Sequence, residues 1–260
     1  MLPSVPSLMS AAPAPVTLVF LHYWAGSGRE WSAVVEALEP GYRCLTPDLG
    51  GFGDAPAPAG GYSVEAYASE VEALVSRQQL TDYVLVGHSM GGKIALDVAA
   101  RQPPGLRGLA LLTPSPPTPE PMREEERQAS LRSYGDPAAA EATFEHITTR
   151  PLPDALRQQV IADNLRTSQA AWDAWLLQGS KEDICALMPR VQVPVFLIAG
   201  TADAVLPPQV HQRELLPCLA ETTTFHLIEG AGHLLPLEAP GEVASALRQF
   251  MGELQISVPG

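Results

Sequence analysis

Tyr83-Val84-Leu85-Val86-Gly87-His88-Ser89-Met90-Gly91-Gly92 decides how the whole chain reads. Residues 83–86 form a short, continuous apolar run rich in β-branched side chains, the signature of a strand covered on both faces. Beyond them Ile94, Ala95, Val98 and Ala99 recur at spacings of three and four, which predicts a helix beginning near Gly92. Gly87 to Gly91 between them is G-x-S-x-G in a strand, tight turn, helix context. Such a turn forces its serine into a strained backbone conformation that only small flanking residues tolerate, and Gly87 and Gly91 supply the room. The turn lifts the Ser89 hydroxyl clear of the sheet, and the following helix N-terminus favours a developing oxyanion.

Working outward, apolar runs like that of 83–86 recur at 16–20 (VTLVF), 109–112 and 195–198. Helical periodicities lie between and after them, at Trp31, Val34, Val35 and Leu38, at Tyr67, Val71, Leu74 and Val75, and at Val243, Leu247, Phe250 and Met251. Strands alternating with helices predict an α/β fold with a mostly parallel central sheet flanked by helices. After Leu112 the stretch TPSPPTPEP ends the strand, and helical segments run to about Arg190 before the strand pattern resumes. A single domain is therefore expected, with a core over 16–113 and 191–254 and an inserted helical cap over 114–190. Within that insertion Trp172, Trp175 and Leu176 share one helical face, either as the underside of a cap over a pocket or as ordinary packing on the core.

The chain has 260 residues, 46% of them hydrophobic and 17% charged, which suits a packed globular protein and excludes global disorder. Against 29 acidic residues stand 16 Lys plus Arg, a formal net charge of -13 that opposes binding to nucleic acid or to anionic lipid. Cys44, Cys185 and Cys218 are odd in number and widely spaced, which points to a reducing, cytoplasmic setting without structural zinc. Residues 1–16 carry no basic n-region and are interrupted by four prolines, so a standard export signal is not expected. No apolar run approaches the roughly 20 residues that span a bilayer. No metal-binding, phosphate-cradling or dinucleotide motif is present, so no cofactor is expected.

A serine hydroxyl needs a base to take its proton and a third group to orient that base. Of the six histidines, His233 sits in Gly230-Ala231-Gly232-His233, directly after a predicted strand at 223–228, where a loop can bring it beside Ser89. His226 falls inside that strand and is expected to pack; His211 is assigned to a surface helix; His88 is read as a structural hydrogen-bonding residue. Asp203, in Gly200-Thr201-Ala202-Asp203, follows the strand at 195–198, again at a carboxyl end where open α/β sheets place their sites. The loop 21–28 (LHYWAGSG) after the first strand can donate the Trp24 N–H to an oxyanion, with the Met90 N–H as the second donor. The Trp24 indole and Tyr23 then serve as pocket walls.

HYWAGSG, DLGGFGDA, GHSMGG, AGTADAVLPP and GAGHLLPLEAP occur in that order, and with them the chain from about Val16 to Phe250 resembles the α/β-hydrolase superfamily. The resemblance implies a Ser89–His233–Asp203 triad, oxyanion donors at Trp24 and Met90, and a small-molecule ester substrate with no cofactor. It departs from the pattern at Tyr23, where the family usually has glycine, and at Gly50, where it often has arginine. Only about fifteen residues precede the first clear strand, so the leading strands of the full eight-stranded pattern are expected to be short or missing. Serine at 89 argues against the aspartate-dependent dehalogenases and epoxide hydrolases, and the oxyanion loop lacks the proline of perhydrolase-type relatives. The expectation is a carboxylesterase acting on small to medium acyl esters. Hydrolysis of a C–C bond, lactone or amide by the same residues, or non-catalytic ligand binding on the same fold, stand as alternatives. Nothing in the chain encodes an oligomeric state.

Overall fold

The structure is a computed structural model and describes residues 16–220 and 223–255. Six strands form one parallel sheet in the order β2-β1-β3-β4-β5-β6: β1 (Thr17–Leu21), β2 (Arg43–Leu45), β3 (Tyr83–His88), β4 (Leu106–Leu112), β5 (Val195–Gly200) and β6 (Thr224–Ile228). The four strands expected from apolar runs are the four central ones, and each runs one to three residues beyond its predicted limits. The expectation about leading strands falls on residues 1–15, outside the described residues. β2 escapes sequence reading because three residues at a sheet edge carry almost no periodicity.

Side-chain alternation divides the core. Val19, Leu21, Leu85, Leu109, Leu111 and Leu197 face one layer, formed by α2 (Val64–Arg77) and α3 (Met90–Ala100). Leu18, Phe20, Val84, Val86, Ala110, Leu112, Phe196 and Ile198 face the other, formed by α1 (Ser32–Leu38) and α10 (Pro240–Glu253). Because both faces are covered, the central strands read as unbroken apolar runs. The helix after the Ser89 turn starts at Met90, two residues before the expected Gly92, so it abuts the serine directly.

Between β4 and β5 lie α4 (Glu124–Arg132), α5 (Pro137–Ile147), α6 (Asp154–Arg166) and α7 (Gln169–Leu177). They attach to the rest of the molecule through apolar packing, with Phe144, Ile147 and Val160 against Tyr23, Leu234 and Leu237, and through polar contacts. Asp163 on α6 is buried and accepts from the Ser27 hydroxyl at 2.8 Å, and it is paired with Arg166 and Arg29. Arg150 reaches Glu242 on α10 and the Glu229 carbonyl. Past β5 come the single turn α8 (Pro208–Val210) and, beyond β6, the short α9 (Leu235–Glu238). No described helix is long and apolar enough to cross a membrane.

Two of the three cysteines, distant in sequence, meet in space: Cys185 and Cys218 are both free thiols with sulfurs 3.7 Å apart. His226 is exposed on edge strand β6, a correction to its expected packing; its ring stands beside Phe196, 6.2 Å between centroids. His211 is fully buried, another correction, since the turns after α8 fold back against Phe225 of β6 and cover it.

Candidate active site

Ser89 occupies φ 50°, ψ -114°, a left-handed conformation that an L-residue adopts only when its surroundings force it. The force comes from both flanks. A Cβ at Gly87 would lie 2.5 Å from the Gly91 carbonyl oxygen, and one at Gly91 would lie 2.4 Å from that of Leu21. The Ser89 N–H is tied to the Leu112 carbonyl at 3.0 Å, and its own carbonyl accepts from the Gly92 and Ser115 N–H groups at 2.9 Å each. β3, β4 and the start of α3 thus fix the turn together.

The carboxyl ends of β3, β5 and β6 bring the three expected side chains into one line. His233 Nε2 stands 3.0 Å from Ser89 Oγ, and His233 Nδ1 stands 2.8 Å from Asp203 Oδ2. The other Asp203 oxygen accepts from the N–H groups of Val205 and Leu206 at 2.8 and 3.0 Å. All three residues are at most 7% exposed, so their mutual interactions act with little screening by water. Burial works to raise the Asp203 pKa, but the His233 charge, the hydrogen bond to it and the two N–H donors prevail and hold it below the usual value. For His233 burial works downward, yet the charge and hydrogen bond of Asp203, with help from Glu120 and Glu30, leave its pKa raised. A base of raised pKa, held by a carboxylate that stays ionised, can take a proton from a serine hydroxyl and return it to a leaving group.

Around this line the loop after β1 is fixed by His22. Its Nδ1–H donates to the Tyr23 carbonyl at 2.7 Å, and its Nε2 accepts from the Leu49 N–H at 3.0 Å. Ala25 in this loop takes φ 61°, a left-handed conformation. The N–H groups of Trp24 and Met90 make no hydrogen bond to another described residue and remain available to an oxyanion. His88 points away from the serine: its Nε2–H donates to the His233 carbonyl at 2.8 Å, and its Nδ1 faces the buried Glu30 carboxylate at 3.1 Å.

Above the serine opens a cavity of about 650 Å³. Tyr23, Trp24, Trp172 and Trp175 line it as expected, together with Phe144 and Ile147 of α5. Leu176 does not; it turns away from the cavity and packs with Ala25 and Trp172, because the face it shares with Trp172 is wider than the opening. Sequence reading missed three carboxylates around the site. Glu30 stands behind His88; Glu238 binds the loop of His233; Glu120 stands on the cavity wall. For Glu238 a signal existed, since it lies five residues after His233 inside the quoted GAGHLLPLEAP. Among the described residues no group of three or more His, Cys, Asp or Glu side chains is placed to hold a metal ion.

Residues 18–246 match the Alpha/beta hydrolase family. The chain belongs to that family. Among curated members, pimeloyl-(acyl-carrier protein) methyl ester esterase of Aromatoleum aromaticum is 32% identical over 212 residues, covering 73% of this chain and 80% of the relative. The 2-succinyl-6-hydroxy-2,4-cyclohexadiene-1-carboxylate synthase of Salmonella paratyphi A is 27% identical over 259 residues, covering 94% and 96%. The solved esterase of Exiguobacterium antarcticum superimposes with a TM-score of 0.83 over 92% of each chain at 22% identity, a likeness of fold. The protein is accordingly a hydrolase-fold enzyme of this family, and its parallel sheet flanked by helices is the one the five motifs imply.

Proposed function

We propose that the protein is a serine carboxylesterase that cleaves small to medium acyl esters through an acyl-enzyme. The observation that carries the reading is the hydrogen-bonded chain Ser89–His233–Asp203 beneath a largely apolar cavity. Ser89 Oγ attacks the ester carbonyl while His233 Nε2 takes its proton, and Asp203 orients and stabilises the imidazolium. The Trp24 and Met90 N–H groups receive the oxyanion; one such donor commonly contributes about 3 kcal/mol to the transition state. Collapse expels the alcohol with the proton from His233. Water, deprotonated by the same histidine, then frees the acid and restores Ser89.

In this reading residues 114–190 are a cap whose inner face is supplied by Trp172, Trp175 and Phe144. The named activity of the Aromatoleum relative, a methyl ester esterase, supports ester chemistry. The Salmonella relative bears the name of a synthase, which keeps other bonds in view for the same triad: lactones, amides and C–C bonds. The ordered, buried triad favours catalysis over ligand binding alone, and the free thiols fit the cytoplasm.

The test is hydrolysis of 4-nitrophenyl esters from acetate to decanoate by the wild type and Ser89→Ala, with a metal chelator present. Turnover by the wild type alone supports the serine esterase, and its dependence on chain length sizes the cavity. Equal turnover by both proteins defeats it. Rates on lactones and vinylogous diketones above those on aryl esters would favour the alternative bonds.

A further inference from the structure

Lys93 lies fully buried on α3, four residues beyond Ser89. Its ammonium donates to the Thr118 carbonyl at 3.1 Å and to the Glu182 carbonyl. In the same stretch the Pro117 carbonyl accepts from the Ile184 N–H, and the Glu120 N–H donates to the Ser180 carbonyl, both at 2.8 Å. Residues 117–120 are thereby pinned at three points, and Glu120 is held on the cavity wall that it shares with Ser89 and His233.

Two carboxylates line this cavity. Glu126 is satisfied by the Arg123 guanidinium at 2.9 Å and the Arg123 N–H at 3.1 Å. The half-buried Glu120 carboxylate has no described partner within 3.5 Å, and the nearby Ser115 hydroxyl, itself unpaired at that distance, is the neutral donor closest to serving it. Burial pushes the Glu120 pKa up, against the Ser115 hydroxyl and the charges of Lys93, His233 and Arg127. The two cations behind the wall have other commitments. Lys93 gives two of its three protons to main-chain carbonyls, while Arg127 donates to the Leu176 carbonyl and the Ser180 hydroxyl and stands 3.5 Å from Glu124.

A half-buried carboxylate without a protein partner depends on the water it keeps, and an apolar ester entering the cavity would strip that water away. The geometry points to Glu120 as a specificity-determining residue whose carboxylate receives a protonated amine carried by the ester that Ser89 attacks. This deepens the serine-esterase reading and rests on it. A cation supplies the missing partner and, by its charge, favours the ionised carboxylate more strongly than a neutral hydroxyl or amide donor does. The Trp24 and Trp172 rings, with centroids 4.2 Å apart, wall the same cavity. A net charge of -13 draws cations toward the protein as a whole.

Two pairs of isosteric esters test the inference at neutral pH by titration of released acid. Methyl 6-aminohexanoate against methyl heptanoate places the charge on the acyl side; 2-(dimethylamino)ethyl butyrate against 3-methylbutyl butyrate places it on the alcohol side. In at least one pair the wild type is expected to favour the cationic ester by roughly tenfold in kcat/KM, with the ratio falling to about one in Glu120→Gln. A ratio near one in both pairs for the wild type, or an unchanged ratio in Glu120→Gln, overturns the inference. Without any variant, hexylamine is expected to inhibit 4-nitrophenyl butyrate hydrolysis competitively and more strongly than hexanol; equal inhibition by the two also overturns it. Failure of every 4-nitrophenyl ester would instead defeat the underlying esterase reading. Turnover of those esters with no preference for a cation defeats the role of Glu120 alone.

Discussion

The backbone N–H of His233 donates to the Ile147 carbonyl at 3.0 Å, which ties the imidazole-bearing loop to the last residue of α5. Glu238 strengthens the tie from the side. Its carboxylate accepts from Gly232 at 2.9 Å and Leu234 at 3.2 Å within that loop, and from Thr149 at 3.0 Å and Arg150 at 2.8 Å just beyond α5. The proposed general base therefore takes its position from the segment between β4 and β5 as well as from the sheet. Any displacement of α5 is transmitted to the imidazole by main-chain bonds.

Glu238→Ala removes the acceptor for four backbone donors, two of them in the His233 loop. We expect it to destabilise the protein by about 3 kcal/mol, since buried N–H groups left unpaired carry most of their desolvation cost. It should also lower kcat by more than about tenfold through misplacement of the base. Urea unfolding and esterase kinetics on the same preparation check both, and Glu238→Gln should recover part of each. Wild-type stability in Glu238→Ala would show that the loop holds itself.

Asp203→Asn probes the electrostatics of the triad. In the wild type burial lowers the His233 pKa, but Asp203 outweighs it and leaves the imidazole above its ordinary value. In the proposed mechanism the neutral imidazole is the base, so kcat/KM should rise with pH through that raised value. With asparagine the downward effect of burial is left with less opposition, and the acid limb should move to lower pH while kcat falls by about ten-thousand-fold. A pH profile unchanged in position would assign the acid limb to another group.

Much of this site could be read in the sequence because each triad residue follows a strand, and a strand buried on both faces announces itself as an apolar run. Ser89 and Asp203 follow such runs; His233 follows the mostly exposed edge strand β6 and is legible from the Gly230-Ala231-Gly232-His233 turn instead. The supporting residues were hidden for a physical reason. Glu30 and Glu238 bond residues distant in the chain or main-chain N–H groups, and Glu120 reaches the cavity wall only through the folded loop that carries it; neither periodicity nor spacing encodes these. Leu176 misled because helical periodicity marks a buried face without saying whether a cavity or a packed core lies opposite. His211 misled because its element is a run of irregular turns with no amphipathic pattern to show which side faces in.

Gly91→Ala tests the close approach behind the Ser89 turn. The added methyl would lie 2.4 Å from the Leu21 carbonyl oxygen and 2.8 Å from that of His22, both main-chain atoms that cannot swing aside. The backbone must shift, at a cost of about 2 kcal/mol, and the shift falls on Ser89 and the Met90 N–H together. A fluorophosphonate probe is expected to label this variant at least about tenfold more slowly than the wild type, if roughly ångström-scale misplacement is as costly here as elsewhere. Labelling at the wild-type rate would mean that the turn tolerates a looser fit.

His211 should make the protein sensitive to mild acid. It is fully buried, and neither ring nitrogen has a hydrogen-bond partner among the described residues. Burial lowers its pKa to about 4, with the Asp203 charge opposing only in part. An imidazole in the unfolded chain titrates near 6.5, so between about 6.5 and 4 the unfolded state holds a proton that the folded state refuses. Its contribution to stability is thus complete above 6.5 and is lost as pH falls toward 4, by about 3 kcal/mol at 1.36 kcal/mol per pKa unit. Asp203, whose folded pKa is depressed, adds a separate loss at still lower pH, while His233, whose pKa is raised, works in the opposite sense. His211→Phe keeps the ring and its edge-on contact with Phe225 but cannot take up a proton. Denaturant unfolding at pH 7 and pH 5 should show the wild type losing more stability than the variant between the two. Equal losses would mean that the buried ring gains a partner or water on protonation and that the acid sensitivity arises elsewhere.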